Sequence, residues 1–328
     1  VNTNSILEFF GGTLAMGRAQ AGLSPEAGGE LLAFARSLGI DCLDTADAYD
    51  TYPHVREGLR RAAAPLAIVS KTYAWDRAGA LAAVERARRE TGADRIDAFL
   101  LHEQESFRTL LGHRDAFEAL LDLRERGVLG AVGFSTHAVG PVSCAAAALG
   151  VLPEDGSDPW EGEDPGPYRE TDLVHPLLNV AGVGLLDGGP GDMARAVTRA
   201  HEAGVGVLGM KMLGGGTLLP RFDEAAAFAL SFPAADAWAV GMQDEDEVRA
   251  NVALFEGRAV PDPVRERLGR RRRRLLVESW CSGCGACVAR CGQGALRLEE
   301  GRAVVDPARC VLCGYCAAVC RDFCIKVV

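Results

Sequence analysis

The sequence lacks any apolar stretch approaching the roughly 20 residues that a membrane-spanning helix requires, so we expect no membrane insertion. Positive charge is also in deficit. The chain has 35 lysines and arginines against 45 aspartates and glutamates, which gives a formal net charge of −10. Such a chain is poorly suited to bind the phosphate backbone of a nucleic acid, and we expect no nucleic-acid partner. The sequence shows no export signal, and we therefore expect a cytoplasmic location.

In other respects the composition is that of an ordinary globular protein. The chain has 328 residues, of which 48% are hydrophobic and 24% are charged. Both fractions are typical of folded soluble domains. Information about function therefore has to come from the order of the segments and from the distribution of cysteines and other reactive side chains.

Residues 1–259 alternate short apolar segments with longer amphipathic ones. Eight strands are predicted, at Phe10–Met16, Cys42–Tyr49, Ala67–Tyr73, Asp97–His102, Ala131–Thr136, Leu173–Asn179, Val205–Lys211 and Ala237–Met242. Helical patterns fill the intervals, for instance at Pro25–Ser37, Ala78–Glu90, Ala116–Arg126 and Met193–Ala203. Eight such units over about 250 residues favour a (β/α)8 barrel. The alternation alone also allows an open doubly wound sheet.

One segment interrupts this alternation before the sixth strand. Residues 152–172 are acidic and rich in glycine and proline, and they include Trp160 and Tyr168. Long ordered loops in barrel enzymes often form part of the substrate site. We therefore expect either a loop that shapes this site or, equally, a disordered segment.

A boundary follows the barrel at Pro261 and Pro263. Residues 260–278 are predicted to form a basic helical linker. We interpret Arg270–Arg274 as a solvated helix face, and the alternative is a docking site for an acidic redox partner. Residues 279–328 then form a second, smaller domain.

This second domain contains eight of the chain's eleven cysteines, in two runs of the form Cys-x-x-Cys-x-x-Cys-x-x-x-Cys. The spacing resembles that of bacterial ferredoxins, which bind two [4Fe–4S] clusters. It implies a small α+β ferredoxin-like domain. In such proteins the fourth cysteine of each run ligates the other cluster. The expected ligand sets are Cys281, Cys284, Cys287 and Cys320 for one cluster, and Cys310, Cys313, Cys316 and Cys291 for the other.

Other uses of these cysteines are less favoured. Disulfides fit poorly with a reducing compartment, and zinc sites seldom repeat a four-cysteine run with these gaps. Three cysteines lie outside the runs. Cys42 and Cys144 are expected to be buried thiols, and Cys324 has no assigned role.

The predicted barrel carries ionisable residues at the ends of three neighbouring strands. Asp44 and Tyr49 lie at the end of the second strand, Lys71 ends the third, and His102 ends the fourth. Barrel enzymes place their chemistry at the carboxyl ends of the strands. Packing preferences alone do not bring aspartate, lysine and histidine to the same end of buried apolar strands.

This constellation resembles the aldo-keto reductase family. The segment Asp44-Thr45-Ala46-Asp47-Ala48-Tyr49, the pair Ser70-Lys71 and the segment Gly133-Phe134-Ser135-Thr136 carry the resemblance, which extends over the barrel from Gly11 to Asn251. Iron–sulfur fusions of this kind resemble a bacterial branch of that family. The resemblance implies a catalytic tetrad of Asp44, Tyr49, Lys71 and His102 and a small-molecule carbonyl or alcohol substrate.

The implied chemistry is the interconversion of a carbonyl group and an alcohol. Tyr49 would donate the proton, although a free tyrosine has a pKa of about 10. We expect the ammonium group of Lys71 to lower that pKa, and Asp44 to hold Lys71 charged. His102 would orient the carbonyl group or share the proton. Tyr73 and Trp75 are candidates to line the substrate pocket, or alternatively core aromatics.

The resemblance also implies a bound NADPH or NADH. The implied contacts come from Gly12, Thr13, Ser135, Thr136, His175, Met210, Lys211, Gly214, Gly215, Gly241, Met242, Arg249 and Asn251. Ser135 and Thr136 occupy the positions that contact the carboxamide. Met210 takes the place of a stacking aromatic residue. Lys211 and the following glycines would hold the pyrophosphate.

The choice between the two nucleotides is left open by the sequence. The family often places a lysine and an arginine around the 2′-phosphate, whereas here these positions are Gly241 and about Glu247. Acidic residues repel a phosphate and can accept from a 2′-hydroxyl instead. Family habit therefore favours NADPH, with Arg249 as a possible phosphate contact, and the local charge favours NADH.

A second departure lies at the start of the chain. The first strand is predicted to begin after about ten residues, counted on the sequence, so the family's N-terminal hairpin, which closes the bottom of the barrel, is short or missing. The C-terminal domain is a candidate to cover that face.

Three functional hypotheses follow. A hydride carries two electrons and each cubane passes one, so direct exchange is unfavourable unless a flavin mediates, and the sequence has no independent flavin motif. We favour an NAD(P)H-linked reductase whose clusters exchange electrons with a partner protein. The alternatives are a reductase with structural or regulatory clusters and a ferredoxin-type electron carrier built on an inactive barrel.

Overall fold

The computed structural model describes residues 8–17 and 20–328. Eight parallel strands close into a barrel, and β1 is hydrogen-bonded to both β2 and β8. This closure confirms the (β/α)8 prediction and excludes the open sheet. The strands are β1 Glu8–Gly12, β2 Cys42–Asp44, β3 Ala67–Thr72, β4 Ile96–Leu101, β5 Leu129–Thr136, β6 Leu173–Pro176, β7 Gly206–Met210 and β8 Ala237–Gly241.

Three strands, β1, β2 and β6, end three or more residues earlier than predicted because the chain turns as soon as it leaves the barrel wall. After β1 and β2 it enters short 3-10 turns at Thr13–Met16 and Asp47–Tyr49. The third, β6, ends at Pro176, which has no N–H group with which to continue a ladder. The predicted apolar segments therefore contain both the strands and the turns that follow them.

Helices surround the barrel. They are α1 Pro25–Ser37, α2 Tyr52–Arg61, α3 Arg77–Thr91, α4 Phe107–Gly112, α5 Arg114–Glu125, α6 Val139–Ala148, α7 Pro190–Glu202, α8 Phe222–Ser231 and α9 Glu245–Phe255. Local sequence explains several of their ends. Ser24 caps α1 through its side chain, Asp76 caps α3, and Gly92 ends α3 in a left-handed conformation. Within the described residues, none of the helices has the length and apolar character needed to cross a membrane.

The hydrophobic core has two layers. Side chains on the outer face of the strands, such as Phe99 and Trp238, pack against the surrounding helices. A second cluster fills the barrel interior with small and medium residues, including Val69, Leu100 and Leu208. Phe323, which comes from the C-terminal domain, belongs to this second cluster.

The acidic segment 152–172 is ordered, but the prediction that it shapes the substrate site is wrong. It connects α6 to β6 and therefore lies at the end of the barrel opposite the carboxyl ends of the strands. Its two aromatic residues anchor it to the helices. The indole N–H of Trp160 donates to the Cys144 carbonyl (2.9 Å), and the Tyr168 hydroxyl donates to the Leu110 carbonyl (2.6 Å).

The linker also differs from the prediction. Its helix, α10 Asp262–Gly269, ends before the arginine-rich segment, so the interpretation of Arg270–Arg274 as a helix face is wrong. Two linker arginines pair with the start of α9. Arg267 binds Asp246 at 2.7 Å, and Arg271 binds Glu247 at 2.5 Å.

The C-terminal domain consists of two antiparallel strand pairs and one short helix. These elements are β9 Leu275–Val277 paired with β12 Ile325–Val327, the hairpin of β10 Leu296–Glu299 and β11 Arg302–Val305, and α11 Ala286–Arg290. Close approaches show where the domain sits. A Cβ atom added to Gly215 would lie 2.8 Å from Lys326 Cδ, and one added to Gly314 would lie 3.3 Å from Thr217 Cβ.

These contacts place the domain at the carboxyl end of the barrel. Gly215 and Thr217 belong to the loop that directly follows β7. The suggestion that the C-terminal domain covers the bottom of the barrel is therefore wrong. The prediction of a short or missing N-terminal hairpin falls on residues 1–7 and lies outside the described residues.

Candidate active site and cluster cavities

The four residues of the predicted tetrad converge at the carboxyl end of the barrel. Asp44 is the last residue of β2, Lys71 lies near the end of β3, and His102 follows β4. The ammonium group of Lys71 donates to Asp44 Oδ1 (2.5 Å) and to the carbonyl oxygen of Thr45 (2.9 Å). Parallel pairing of neighbouring strands aligns their ends, which brings the Asp44 and Lys71 side chains together.

The Tyr49 ring lies across this ion pair. Lys71 Nζ is 5.4 Å from the centroid of the Tyr49 ring, and the His102 ring meets Tyr49 edge-on with a centroid separation of 5.7 Å. The Tyr73 ring stacks on the His102 ring with a centroid separation of 4.4 Å. Tyr73 and Trp75 are both exposed, which agrees with a position at the pocket mouth and argues against the core alternative.

Burial controls the protonation states in this site. It raises the pKa of Asp44, an effect that the Lys71 ammonium opposes. Burial and then the positive charges of Lys71 and Lys211 hold the pKa of His102 well below its usual range, so this imidazole is neutral.

The expectation that Lys71 lowers the pKa of Tyr49 is wrong. Burial raises the pKa of Tyr49 well above its ordinary value, and the Asp44 and Glu103 carboxylates add to this shift. The reason is geometric, because the Lys71 ammonium donates to Asp44 and Thr45 and approaches only the face of the tyrosine ring. Tyr49 therefore holds its proton at neutral pH and can act as an acid.

Two buried histidines beside the tetrad have ring nitrogens that make no hydrogen bond within the described residues. Among the described residues, His102 Nδ1 and both ring nitrogens of His175 are buried without a hydrogen bond. His175 is fully buried, and its Nδ1 lies 3.7 Å from Asp44 Oδ1. Unsatisfied buried polar groups are costly and are commonly explained by a bound ligand or water. His175, which was predicted as a nucleotide contact, lies beside the tetrad.

A polar cluster next to the tetrad was not anticipated. His137 Nδ1 lies 3.4 Å from a Glu105 carboxylate oxygen, and the Tyr73 hydroxyl donates to Glu103 at 2.6 Å. Lys211 Nζ contacts the other ring nitrogen of His137. The run His102-Glu103-Gln104-Glu105 directly after β4 was the sequence signal, since charged residues at a strand end face the barrel mouth.

The predicted carboxamide contacts are engaged by the protein itself. Ser135 Oγ accepts from the Glu103 amide (2.9 Å), and Thr136 Oγ1 accepts from the Ala138 amide (2.9 Å). Met210 is buried at the end of β7, within the interior cluster.

The remaining predicted nucleotide contacts lie at the ends of β1 and β8 and within α9. Thr13 shares a hydrogen bond with Thr51 at 2.8 Å. Gly12 packs against the backbone of Gly241 where β1 meets β8. Met242 is buried in the outer core, Arg249 pairs with Glu245, and Asn251 lies within α9.

The predicted pyrophosphate loop is covered. The loop of Lys211, Gly214 and Gly215 lies beneath Phe323 and Lys326 of the C-terminal domain. Its amides are also occupied, because the N–H groups of Gly214 and Gly216 donate to carbonyl groups within the same loop (2.8 and 2.9 Å). In this arrangement, the loop does not fit a dinucleotide pyrophosphate.

The cysteines form two groups. One cavity in the C-terminal domain is lined by Cys291 from the first run together with Cys310, Cys313 and Cys316 from the second. The four cysteines expected to ligate this cluster, one from the first run and three from the second, therefore lie close together in space. An amide donor also approaches it, since Ala295 N lies 3.3 Å from Cys291 Sγ.

The second group gathers around Cys287. Burial raises the pKa of this thiol, and the nearby thiols of Cys320, Cys281 and Cys284 add to the effect. Ala303 N lies 3.5 Å from Cys281 Sγ. Cys324 is buried with its Sγ 3.3 Å from Cys320 Sγ. The two groups fit the thiolate ligands of two cubane clusters, which supply one-electron transfer when bound.

Comparisons with known proteins agree with both halves of this description. The "Aldo/keto reductase family" model matches residues 10–159, and the "4Fe-4S dicluster domain" model matches residues 280–322. The C-terminal part is 39% identical over 51 residues to a "Ferredoxin-like protein in nif region" of Rhizobium leguminosarum bv. trifolii, covering 15% of this chain and 80% of the relative.

Another relative matches the same part of the chain. It belongs to an ion-translocating oxidoreductase complex of Methanosarcina acetivorans and is 35% identical over 54 residues, which cover 16% of this chain. The chain spans only 20% of the length of that relative.

Solved structures resemble the barrel. An aldo-keto reductase from Bacillus halodurans in its holo form has a TM-score of 0.57 and 17% identity, covering 80% of this chain and 91% of that one. Aldose reductase from Giardia lamblia has a TM-score of 0.54 and 16% identity, covering 79% and 90%. At these identities the likeness shows the fold alone. Taken with the family matches, the chain carries an aldo/keto reductase domain and a C-terminal 4Fe-4S dicluster domain of the ferredoxin type.

Proposed function

We propose that the barrel interconverts a carbonyl group and an alcohol on a small molecule, with Tyr49 as the proton donor. The observation that carries this proposal is the buried Lys71–Asp44 ion pair (2.5 Å), against which the rings of Tyr49 and His102 are set at one end of the barrel. A buried ion pair at a strand end is costly to build for stability alone. Its position beside two proton-carrying rings supports a chemical role.

Each residue has a distinct part in this proposal. Tyr49 gives its proton to the carbonyl oxygen, and its raised pKa keeps it protonated for that step. Lys71 pairs with Asp44 beside the ring, which limits the repulsion that the Asp44 carboxylate exerts on the phenolate formed as the proton leaves. Asp44 fixes Lys71, and neutral His102 orients the carbonyl oxygen.

The clusters are proposed to exchange electrons with a partner protein. Cys284 and Cys313 are exposed, and the large apolar side chains of Val311 and Tyr315 are also exposed beside the cavity that contains Cys313. Electron transfer between proteins needs close approach of a cluster to the surface. The similarity of this domain to a component of an ion-translocating oxidoreductase complex supports the same role.

The hydride source is treated as part of the proposal. NADPH or NADH is the source that the family resemblance implies, and a flavin carried by the partner is the alternative that would join one-electron and two-electron steps. The intact tetrad speaks against an electron carrier built on an inactive barrel, because such a carrier has no use for a buried ion pair beside Tyr49.

Carbonyl reduction by a Tyr49→Phe variant tests the proton donor. The protein would be purified anaerobically with its clusters assembled, and benzaldehyde reduction would be followed with NADPH, NADH or a reduced viologen as electron donor. Loss of a general acid typically lowers the rate by about 10²–10⁴-fold. Tyr168→Phe, which removes a tyrosine hydroxyl bonded to the Leu110 carbonyl and outside the tetrad, is the matched control. An undiminished rate in Tyr49→Phe would overturn the assignment.

Electron paramagnetic resonance on the same preparation tests the role of the clusters. The clusters would be reduced beforehand, and their signal would be followed after substrate is added. Oxidation of the clusters that matches product formation supports electron exchange with the barrel. Clusters that keep their electrons during turnover would show a structural or regulatory role instead.

A further inference from the structure

The loop that follows β7 is the surface on which the C-terminal domain rests. Barrel enzymes frequently bind phosphate groups with the loops after their seventh and eighth strands. Here the loop contains Gly214, Gly215 and Gly216, all with positive φ values of 54°, 64° and 87°. A loop of this kind can hold phosphate oxygens against its backbone amides only if those amides are free.

Several amides of this loop are paired within the loop itself. Gly214 N donates to the Lys211 carbonyl (2.8 Å), and Gly216 N and Leu218 N donate to the Leu213 carbonyl (2.9 and 3.1 Å). The space above the loop is also filled. A Cβ atom at Gly215 would lie 3.2 Å from Phe323 Cζ, and one at Gly216 would collide with the Val327 carbonyl. Because Gly215 and Gly216 have no side chains, the C-terminal domain can approach the backbone of this loop closely.

Phe323 is the centre of this contact. It is only 4% exposed and packs among the residues of the barrel interior, which include Leu208 and Met210. Lys211 Nζ lies 4.3 Å from the centroid of its ring on the barrel side, and Lys326 Nζ lies 3.2 Å from it on the domain side. The φ of Phe323 is 45°, an unusual value for a phenylalanine, which indicates that the surroundings hold it in place.

The two lysines beside Phe323 are engaged as well. Lys211 Nζ contacts His137 Nε2, and Lys326 Nζ donates to the Phe323 carbonyl. Lys326 is only 5% exposed. Neither ammonium group is therefore directed toward an incoming phosphate, although a cation after β7 is what a pyrophosphate site would use.

The loop that follows β8 is closed in the same way. Asp244 caps α9 by accepting from the amides of Asp246 (2.9 Å) and Glu247 (3.0 Å). This cap uses the amides that a helix start would offer to a phosphate. The linker then covers the carboxylates, since Arg267 pairs with Asp246 and Arg271 pairs with Glu247.

We propose that the C-terminal domain and its linker occupy the dinucleotide groove of this barrel, so that the assembled chain excludes NADPH and NADH and receives its electrons through the C-terminal domain. Both loops that would hold the phosphates are covered by parts of the same chain. Phe323 joins the two halves, because its amide donates to the carbonyl of Cys320 (3.1 Å) while its ring lies on Lys211. A predicted cluster ligand is thus three residues from a side chain inside the barrel mouth.

The electron count is consistent with this arrangement. Reduction of a carbonyl group to an alcohol consumes two electrons and two protons. The two clusters implied by the eight cysteines each pass one electron. Tyr49 supplies the proton that forms the O–H bond, and solvent supplies the proton that forms the C–H bond as the two electrons arrive one after the other from the clusters. A reduced partner protein then restores the clusters. This count rests on the proposed carbonyl chemistry, whereas the exclusion of dinucleotides rests only on the covered loops.

Nucleotide binding to the full chain with assembled clusters is the decisive measurement. NADPH and NADH would be titrated by calorimetry and by nicotinamide fluorescence in the absence of substrate. We expect a dissociation constant above about 1 mM for both. A Phe323→Ala variant should bind NADPH or NADH at least about tenfold more tightly because it loosens the contact. Leu298→Ala, in an exposed residue of the same domain, should bind as weakly as the wild type.

Micromolar binding of either nucleotide to the wild-type chain would overturn the proposal. Failure of Phe323→Ala to assemble its clusters would be detected by iron content and visible absorbance. Hydrogen exchange on the wild type serves as the second measurement in that case. The amides of residues 211–218 should be protected and should not change when NADPH is added, whereas nucleotide-dependent change there would count against exclusion. Because no turnover is involved, a failed Tyr49 assignment leaves this result intact.

Discussion

Removing the positive charge of Lys71 should destabilise the barrel strongly and in a pH-dependent way. The Lys71 side chain is 1% exposed and that of Asp44 is 9% exposed, with 2.5 Å between Nζ and Oδ1. Breaking a buried ion pair by removing one partner costs about 3–5 kcal/mol, because the other charge stays buried. A Lys71→Met variant keeps most of the side-chain volume and isolates the loss of charge.

The sign of the pH dependence follows from Asp44. Burial already raises the pKa of Asp44, and Lys71 is the largest influence that lowers it. Without Lys71 that pKa rises further, while an unfolded aspartate stays near 3.9. The folded variant then binds more protons than the unfolded chain between these two pKa values. The free energy of unfolding of Lys71→Met should therefore fall as pH rises through this window, and the full cost should appear above it.

A double-mutant cycle measures the interaction energy between Lys71 and Asp44 separately from the contribution of each residue to stability. Asp44→Asn removes the charge that Lys71→Met strands, so the double variant should be less destabilised than the sum of the single variants by about 1–3 kcal/mol. The assay is unfolding by urea, followed by far-ultraviolet circular dichroism at several pH values. Arg221→Met is the control, because the Arg221–Glu224 pair has the same separation of 2.5 Å but is half exposed.

The Arg221→Met control gives the change in stability that is expected for an exposed ion pair. Removing an exposed pair should change stability by no more than about 1 kcal/mol. If Lys71→Met costs no more than Arg221→Met above neutral pH, Asp44 is not a stranded buried charge. If the single variants add in the double variant, the two side chains do not interact as the 2.5 Å contact requires.

Three further outcomes are expected. Because burial raises the pKa of Tyr49, the rate of carbonyl reduction should be insensitive to pH near neutrality. The rate of alcohol oxidation, which needs the phenolate, should keep rising beyond pH 10. A plateau near neutral pH in the oxidation profile would contradict this. Tyr168→Phe removes one of the hydrogen bonds to the Leu110 carbonyl, which also accepts from the His113 amide, and should cost about 0.5–1.5 kcal/mol in urea unfolding without changing the reduction rate. Cys324→Ala should lower the reduction potential of the cluster assigned to Cys320, measured by a titration followed by electron paramagnetic resonance, and Cys324→Ser should restore part of it.

The barrel was predictable because its information is local and repeated. Apolar segments of strand length alternate with amphipathic helices, and caps such as Ser24 before Pro25 mark helix starts that the structure reproduces. The same regularity fixes the direction of every strand, which is why Asp44, Lys71 and His102 could be expected at one end. Their assignment as a catalytic tetrad stays a prediction until the variants are measured.

The properties that the sequence did not predict depend on orientation and docking. The direction of the Lys71 side chain decides its effect, since an ammonium over the face of Tyr49 and bonded to Asp44 does not lower the tyrosine pKa as one beside the hydroxyl would. The segment 152–172 was misassigned because its composition was considered without its connectivity. A segment that leads from a helix into a strand lies at the opposite end of a barrel from the active site.

The glycines after β7 show why a binding loop is ambiguous in sequence. Glycine permits positive φ values and close approach, and either a phosphate group or another stretch of backbone can take advantage of that space. In this chain the space above Gly215 and Gly216 is taken by Phe323, Lys326 and Val327. A phosphate site needs unpaired amides in addition to glycines, and those of Gly214 and Gly216 are already paired. Hydrogen-bond pairing in the loop, which no residue pattern reports, is therefore the observation on which the proposed exclusion of a dinucleotide rests.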